Sequence, residues 1–268
     1  MTDIHTPNRH KLSVYIIAYN EADKIADAVA SVTWADEVLV LDSNSTDDTA
    51  KIATELGATV KQIPFTTFGK LRNDAIASCT HDWVFSLDAD ERCTKAARAE
   101  IEKVLAQPDA DAYYVPRRNW FMGRWIKHSG WYPDYRQPQL FRKTAMKFND
   151  QDEVHESYRV EGRIGYFKAA IVQVPFNNLE QLVHKMQRYS TLGALKLERR
   201  NKRVGMGTAL GHALWAFFRI YVLKRGFLDG WAGFMLALGN FEGTFYRYAK
   251  AATAKYNWIQ PSSEDETR

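Results

Sequence analysis

The chain opens with a regular alternation of apolar patterns. Lys11 to Tyr19, K-L-S-V-Y-I-I-A-Y, is a β-branched and aromatic run, and Ile25, Ala28, Val29 and Val32 then recur at helical spacing. These residues predict a strand, a turn and a helix. A second strand is expected over Glu37 to Leu41, followed by the polar turn S-N-S-T-D-D, in which Thr46, Asp47 and Asp48 can cap a helix that runs to Leu56 and stops at Gly57. Further strands are expected over Thr59 to Ile63 and from Trp83, with a helix over Phe68 to Ser78 between them. A helix over Lys95 to Ala106 and strands over Ala112 to Pro116 and Gln139 to Arg142 continue the series. Alternation at this spacing predicts an α/β fold with a mostly parallel, doubly wound sheet flanked by helices.

The carboxyl ends of parallel strands line one crevice, so Tyr19 to Glu21, Asp42 and Asp88 to Asp90 should converge there. The stretch W-V-F-S-L-D-A-D-E, Trp83 to Glu91, is the sharpest of these signals. It is a buried strand that delivers Asp88, Asp90 and Glu91 to the sheet edge. Two carboxylates two residues apart can share a divalent cation. Alternatively, one acid caps the helix starting near Lys95 and the others are solvated. No G-x-G-x-x-G follows the first strand and no G-x-x-x-x-G-K-[ST] occurs, which disfavours a dinucleotide fold and a P-loop.

With 46% hydrophobic residues, the 268-residue chain can build a substantial core. The net charge of +4 does not call for nucleic acid. Two cysteines, Cys79 and Cys93, form neither a disulfide framework nor a metal-ligand spacing, and the polar start resembles no secretory signal, so a reducing, cytoplasmic setting is expected.

S-V-Y-I-I-A-Y-N-E, V-L-D-S-N-S-T-D-D-T, G-K-L-R-N-D-A and D-W-V-F-S-L-D-A-D-E, in this order, resemble the family 2 glycosyltransferases of GT-A fold. The later G-W-Y-P-D, L-F-R-K and V-H-E stretches are similar to a subgroup that adds β-1,4-glucose to the lipopolysaccharide core. The resemblance implies a UDP-sugar donor, Mg2+ or Mn2+, and inversion at the anomeric carbon. By it, Tyr19, Asn20 and Glu21 border the uridine, Asp42 accepts a hydrogen bond from uracil or ribose, and Lys70, Arg72 and Asn73 lie by the nucleotide. Asp88 contacts ribose or sugar, and Asp90 is the main metal ligand. Two positions depart from the subgroup pattern: Gln139 stands where an arginine is expected, and V-P-F-N-N lacks an expected histidine. They leave the acceptor and the full metal shell open.

Between Asn119 and Tyr135, aromatics interleave with Arg124, Lys127 and His128. Such faces suit sugar rings, with Trp131 and Asp134 as the acceptor contacts; the alternative is a second core layer. An inverting transfer needs a carboxylate to take the acceptor's proton, and Glu156 is the choice, with Asp150, Asp152 and Glu153 competing. His155 can complete a metal shell or hold the donor phosphate, since imidazole serves both roles.

From Leu179 the pattern is helical and passes through a basic cluster, Arg199, Arg200, Lys202 and Arg203. The following Trp-, Phe- and Leu-rich stretch is interrupted by Arg219, Lys224, Arg225 and Asp229 before an uncharged run of about 18 residues forms, so no spanning helix is expected. Its helices either lie on an anionic membrane or pack on the protein or in a homodimer. The expected organisation is an extension (1–10), a catalytic domain (11–178, with a nucleotide-sugar half over 11–107 and an acceptor half over 108–178), a helical region (179–260) and a disordered tail (261–268). The function expected is transfer of a sugar, glucose by preference, to a saccharide or lipid-linked saccharide of the lipopolysaccharide inner core. Another UDP-sugar and cell-envelope glycan, or a non-catalytic sugar- or membrane-binding protein on the same fold, are the alternatives.

Overall fold

The structure is a computed structural model that describes residues 9–151, 157–200, 202 and 204–256. The chain divides into two compact units, residues 1–120 with 132–175 and residues 121–131 with 176–268. The helical unit thus takes in Phe121–Trp131 as well as the C-terminal third.

In chain order the elements begin with β1 (Leu12–Ala18), α1 (Ala22–Ala30), β2 (Glu37–Asp42), α2 (Thr49–Glu55), β3 (Thr59–Gln62), α3 (Phe68–Ser78) and β4 (Trp83–Asp88). They continue with β5 (Glu91–Arg92), α4 (Lys95–Ala106), β6 (Ala112–Tyr114), β7 (Arg117–Phe121), β8 (Arg124–Trp125), β9 (Pro138–Arg142) and β10 (Met146–Phe148). The last are β11 (Tyr158–Val160), β12 (Ile164–Tyr166), β13 (Ile171–Gln173), α5 (Leu179–Arg199), α6 (Met206–Phe218) and α7 (Gly230–Thr253).

The main sheet of the first unit has the order β12-β6-β9-β4-β1-β2-β3. β4, β1, β2 and β3 pair in parallel, whereas β9 runs antiparallel to both β4 and β6. This is the expected mostly parallel α/β sheet of the GT-A class, with one reversed strand. β1 lies inside it, between β4 and β2, and buries both faces, as its continuous apolar run requires. Ile25, Ala28 and Val29 of α1 pack into the core on one side, while Leu71, Ala75 and Ile76 of α3 pack on the other. Thr67 caps α3 by accepting from the Lys70 amide, and Gly57, at φ +86°, lets the chain turn after α2.

The second unit holds α5, α6 and α7 together with Phe121–Trp131. Its described interior is built chiefly from alanines, among them Ala194, Ala209, Ala213, Ala216, Ala232 and Ala237, with Phe121, Ile126 and Leu236. After α6 the helix widens to a π-turn over Arg219–Leu223, and Arg225, in the left-handed region at φ 54°, leads into a 3-10 turn over Gly226–Asp229. Buried Asp229 accepts from the amides of Lys127 and His128 and from the Ser129 hydroxyl, stapling the 121–131 segment to the start of α7. The expectation that charge interrupts this region too early for a span needs qualifying. On length and composition alone Met206–Leu223, with mean hydropathy 1.2, is apolar enough to cross a membrane despite Arg219.

Candidate functional site

The carboxyl ends of β1 and β2 are tied together by side chains of their loops. Asn20, at φ 53°, receives the Thr46 amide on its Oδ1 (2.8 Å) and donates its own amide to Ser45 Oγ (2.8 Å). The Glu21 amide donates to Thr49 Oγ1 (2.8 Å), and Asp47 accepts from the amides of Ala22 and Thr49. Asp42, at the end of β2, is fully buried and takes the Ser45 amide (3.1 Å) and hydroxyl. Tyr19 is exposed beside them. Glu21 is half-buried against Lys24, 3.1 Å away.

At the end of β4 the acids separate into distinct environments. Asp88 pairs with buried Arg72 (Nη2–Oδ1, 3.1 Å), whose other nitrogen donates to Ser86 Oγ (3.2 Å). Burial opposes ionisation of Asp88, yet Arg72, with Arg117 and Arg136, holds its pKa below the usual carboxylate range. Asp90 receives Gln173 Nε2 at 3.0 Å. Burial, with the neighbouring charges of Glu91 and Asp88, pushes the Asp90 pKa up to about 7. Glu91 is wholly buried in an ion pair with Arg117, and its second oxygen takes the Asp88 amide (3.0 Å) and Gln139 Nε2 (3.0 Å). None of the three acids caps α4; Thr94 does so, accepting from the Ala97 amide.

Glu91 therefore braces the turn that carries Asp88 and Asp90. A buried carboxylate is held where its charge is matched and its lone pairs are filled, here by a guanidinium, an amide N–H and a carboxamide. Gln139 and Gln173, the latter directly before the V-P-F-N-N segment that lacks the expected histidine, are both used in this way, one on Glu91 and one on Asp90. Arg117, Gln139 and Gln173 come from β7, β9 and β13, and only Gln139 carried a signal in the sequence, as a departure from a pattern.

Lys70 is exposed and paired with Asp74. Asn73 spends its amide on the Phe148 carbonyl (2.9 Å) and Asp150 Oδ1 (2.7 Å), and the Phe148 amide returns to its Oδ1 (3.0 Å). Thr67 Oγ1 donates to the Asp150 carbonyl, and Gly69 lies so close that a Cβ there would stand 1.9 Å from the Asn149 carbonyl oxygen. The first turns of α3 thus anchor residues 149–150 just before His155 and Glu156. His155 and Glu156, with Asp152 and Glu153, lie outside the described residues. Asp134 belongs to the first unit, where it pairs with Arg136 (2.7 Å) and accepts from Asn119 (3.1 Å). Trp131 belongs to the second, where it packs on Phe121.

Among the described residues no three His, Cys, Asp or Glu side chains form a metal-binding group. Asp90 nevertheless suits a divalent cation: among the described residues its carboxylate accepts from the neutral amide of Gln173, and it has like charges beside it, so a cation would relieve its raised pKa. Cys79 and Cys93 are free and buried, and burial pushes both thiols up to about 12, so neither is a nucleophile.

The profile described as glycosyl transferase family 2 matches residues 13–174, more than half of the chain. An uncharacterized glycosyltransferase of Rickettsia felis is 30% identical over 90% of this chain and 89% of its own. The lipopolysaccharide core biosynthesis glycosyltransferase LpsC of Rhizobium meliloti is 27% identical over 90% of each. Among solved structures, S. aureus TarS 1-349 in complex with UDP-GlcNAc covers 90% of this chain and 88% of its own, at 18% identity and a TM-score of 0.49. The chain belongs to glycosyl transferase family 2, the nucleotide-sugar transferases.

Proposed function

We propose that the protein is an inverting, metal-dependent transferase that moves a sugar, glucose by preference, from UDP to a saccharide of the lipopolysaccharide inner core. The observation that carries this reading is the division of labour at the end of β4. Arg72 favours the ionised form of Asp88, while Asp90 sits half-buried beside the like charges of Glu91 and Asp88. Uridine would lie along Tyr19, Asn20, Glu21 and Asp42, with Lys70, Arg72 and Asn73 beside the diphosphate and Asp88 beside the ribose or donor sugar. Asp90, with His155, would hold Mg2+ or Mn2+, which when bound neutralises charge on the departing diphosphate.

The acceptor hydroxyl oxygen attacks the anomeric carbon opposite the UDP oxygen; one C–O bond forms, the other breaks, and UDP leaves as the anion. Glu156 takes the hydroxyl proton as general base, a contribution of roughly 10²- to 10⁴-fold. Trp131 and Asp134 are assigned to the acceptor. The similarity to LpsC over 90% of both chains supports a lipopolysaccharide-core acceptor, which would place the enzyme in the cytoplasm at the inner face of the membrane.

The test is UDP release from a panel of UDP-sugars with Mn2+ and with EDTA, with core saccharides as acceptors. Metal-dependent release from UDP-glucose is expected, with Glu156→Gln sparing donor binding and removing transfer. Retained transfer in that variant would move the base to Asp150 or Asp152, and no release from any donor would end the enzymatic reading.

A further inference from the structure

The helical unit is packed inside out. Its small side chains face one another, whereas Leu210, Leu214, Phe218, Val222, Leu223, Phe227 and Leu228 are exposed, and Trp215 and Trp231 show 55% and 76% of their surface to solvent. A soluble helical unit buries its largest apolar side chains first, because they contribute most on leaving water. Alanine interiors instead suit helices whose outer surface meets lipid.

These residues gather at one end of the unit, where α6, the π-turn, the 3-10 turn and the start of α7 meet. Ring contacts run from Phe217 to Tyr221 and Phe227, and through Phe234 to Trp231, while Trp215 lies 5.9 Å from Phe218. The same end carries Arg219, Lys224 and Arg225, all exposed. Arg124 and Lys127, also exposed, belong to it as well: a Cβ at Gly230 would stand 3.1 Å from Arg124, the Lys127 amide is held by Asp229, and the Lys224 stem lies over Gly130. The acid of this turn, Asp229, is buried and occupied by three donors. The end is therefore apolar, aromatic and cationic at once.

We propose that this end of the helical unit is a docking surface for an anionic lipid bilayer, with Trp215, Phe218, Phe227, Leu228 and Trp231 entering the headgroup–acyl boundary and the five cations engaging anionic headgroups. Such a surface lies in the interface and does not span it. Were α6 to cross, the turn that follows would carry Arg219, Lys224 and Arg225 through the hydrocarbon, and α7, packed on α6, would bring Glu242, Arg247 and Lys250 with it. The inference does not depend on which donor or acceptor the first unit uses.

The test is flotation of the full chain with vesicles of phosphatidylcholine alone and of phosphatidylcholine with phosphatidylglycerol. Binding to the anionic vesicles that weakens as salt rises is expected. Trp215→Ser/Trp231→Ser should lower the bound fraction roughly tenfold, and Arg219→Gln/Lys224→Gln should do so on anionic vesicles alone, again roughly tenfold. Both variants should melt like the parent and release UDP at its rate in solution. Three results would overturn the proposal: no flotation at low salt; a homodimer that the tryptophan pair dissolves, without lipid binding; or resistance of the membrane-bound protein to carbonate extraction, which marks a span.

Discussion

The two units solve the problem of burial in opposite ways. The sheet unit encloses Trp83, Tyr15, Phe85 and Phe141 completely and even buries an ion pair, Glu91 with Arg117, whereas the helical unit encloses alanines and leaves Trp215 and Trp231 outside. The difference is instructive because burial of charge is costly and is tolerated where position matters more than stability. In the sheet unit the buried pair fixes a turn bearing two carboxylates. In the helical unit, the largest apolar side chains are left to solvent.

If this contrast is sound, the same kind of substitution should have unequal consequences in the two units. The largest effect is expected at Asp90. Asp90→Asn removes a carboxylate crowded by Glu91 and Asp88, so thermal stability should hold or rise while sugar transfer falls by roughly two to three orders of magnitude. Transfer at parental rate would remove Asp90 from the site.

Next comes Arg117→Met, which leaves Glu91 buried without its cation and should cost about 3–5 kcal/mol in urea unfolding; adding Glu91→Gln should restore much of the loss. By contrast Trp231→Ser in the helical unit should change unfolding free energy by less than about 0.5 kcal/mol. A large loss there would make Trp231 a core residue and undo the comparison.

A glycine pair sharpens the same point. Gly69→Ala drives a Cβ to 1.9 Å from a backbone oxygen of Asn149 and should cost about 1–3 kcal/mol, with reduced transfer because residues 149–150 must shift. Gly243→Ala in α7 meets only the flexible Met186 side chain at 3.1 Å, and a helix propensity gain of up to about 1 kcal/mol offsets it. Equal losses in calorimetric melts would contradict the account.

The smallest effect concerns acid. Burial of Glu37 opposes its ionisation, but Ser13 and both the amide and hydroxyl of Thr80 hold its pKa below the ordinary carboxylate range. The stability this contributes is present above the ordinary value of about 4.3 and is lost as pH falls through the depressed one. Thr80→Ala should flatten that acid limb in pH-dependent melts.

Much of the sheet was legible because strand and helix periods are local. β1, α3, β4 and α4 begin and end within a residue or two of their predicted bounds, and the acids at the strand exits follow from them. Strand direction is not local. β9 reads as any short apolar strand, yet it lies antiparallel between β4 and β6. Glu91 had no role in the sequence reading because its partners come from distant strands, Arg117 lying 26 residues away and Gln139 lying 48 away. The inclusion of Phe121–Trp131 in the helical unit was hidden likewise, since the staple that holds it, Asp229, lies about a hundred residues on.

The central claim is that the carboxylates at the end of β4 form the donor site of a nucleotide-sugar transferase. Calorimetric titration of UDP into the protein tests it most directly, with Mn2+, with EDTA, and with Asp90→Asn in place of the parent. UDP binding that requires the metal and disappears in Asp90→Asn is the result predicted. No binding, or binding indifferent to both metal and Asp90, would contradict it.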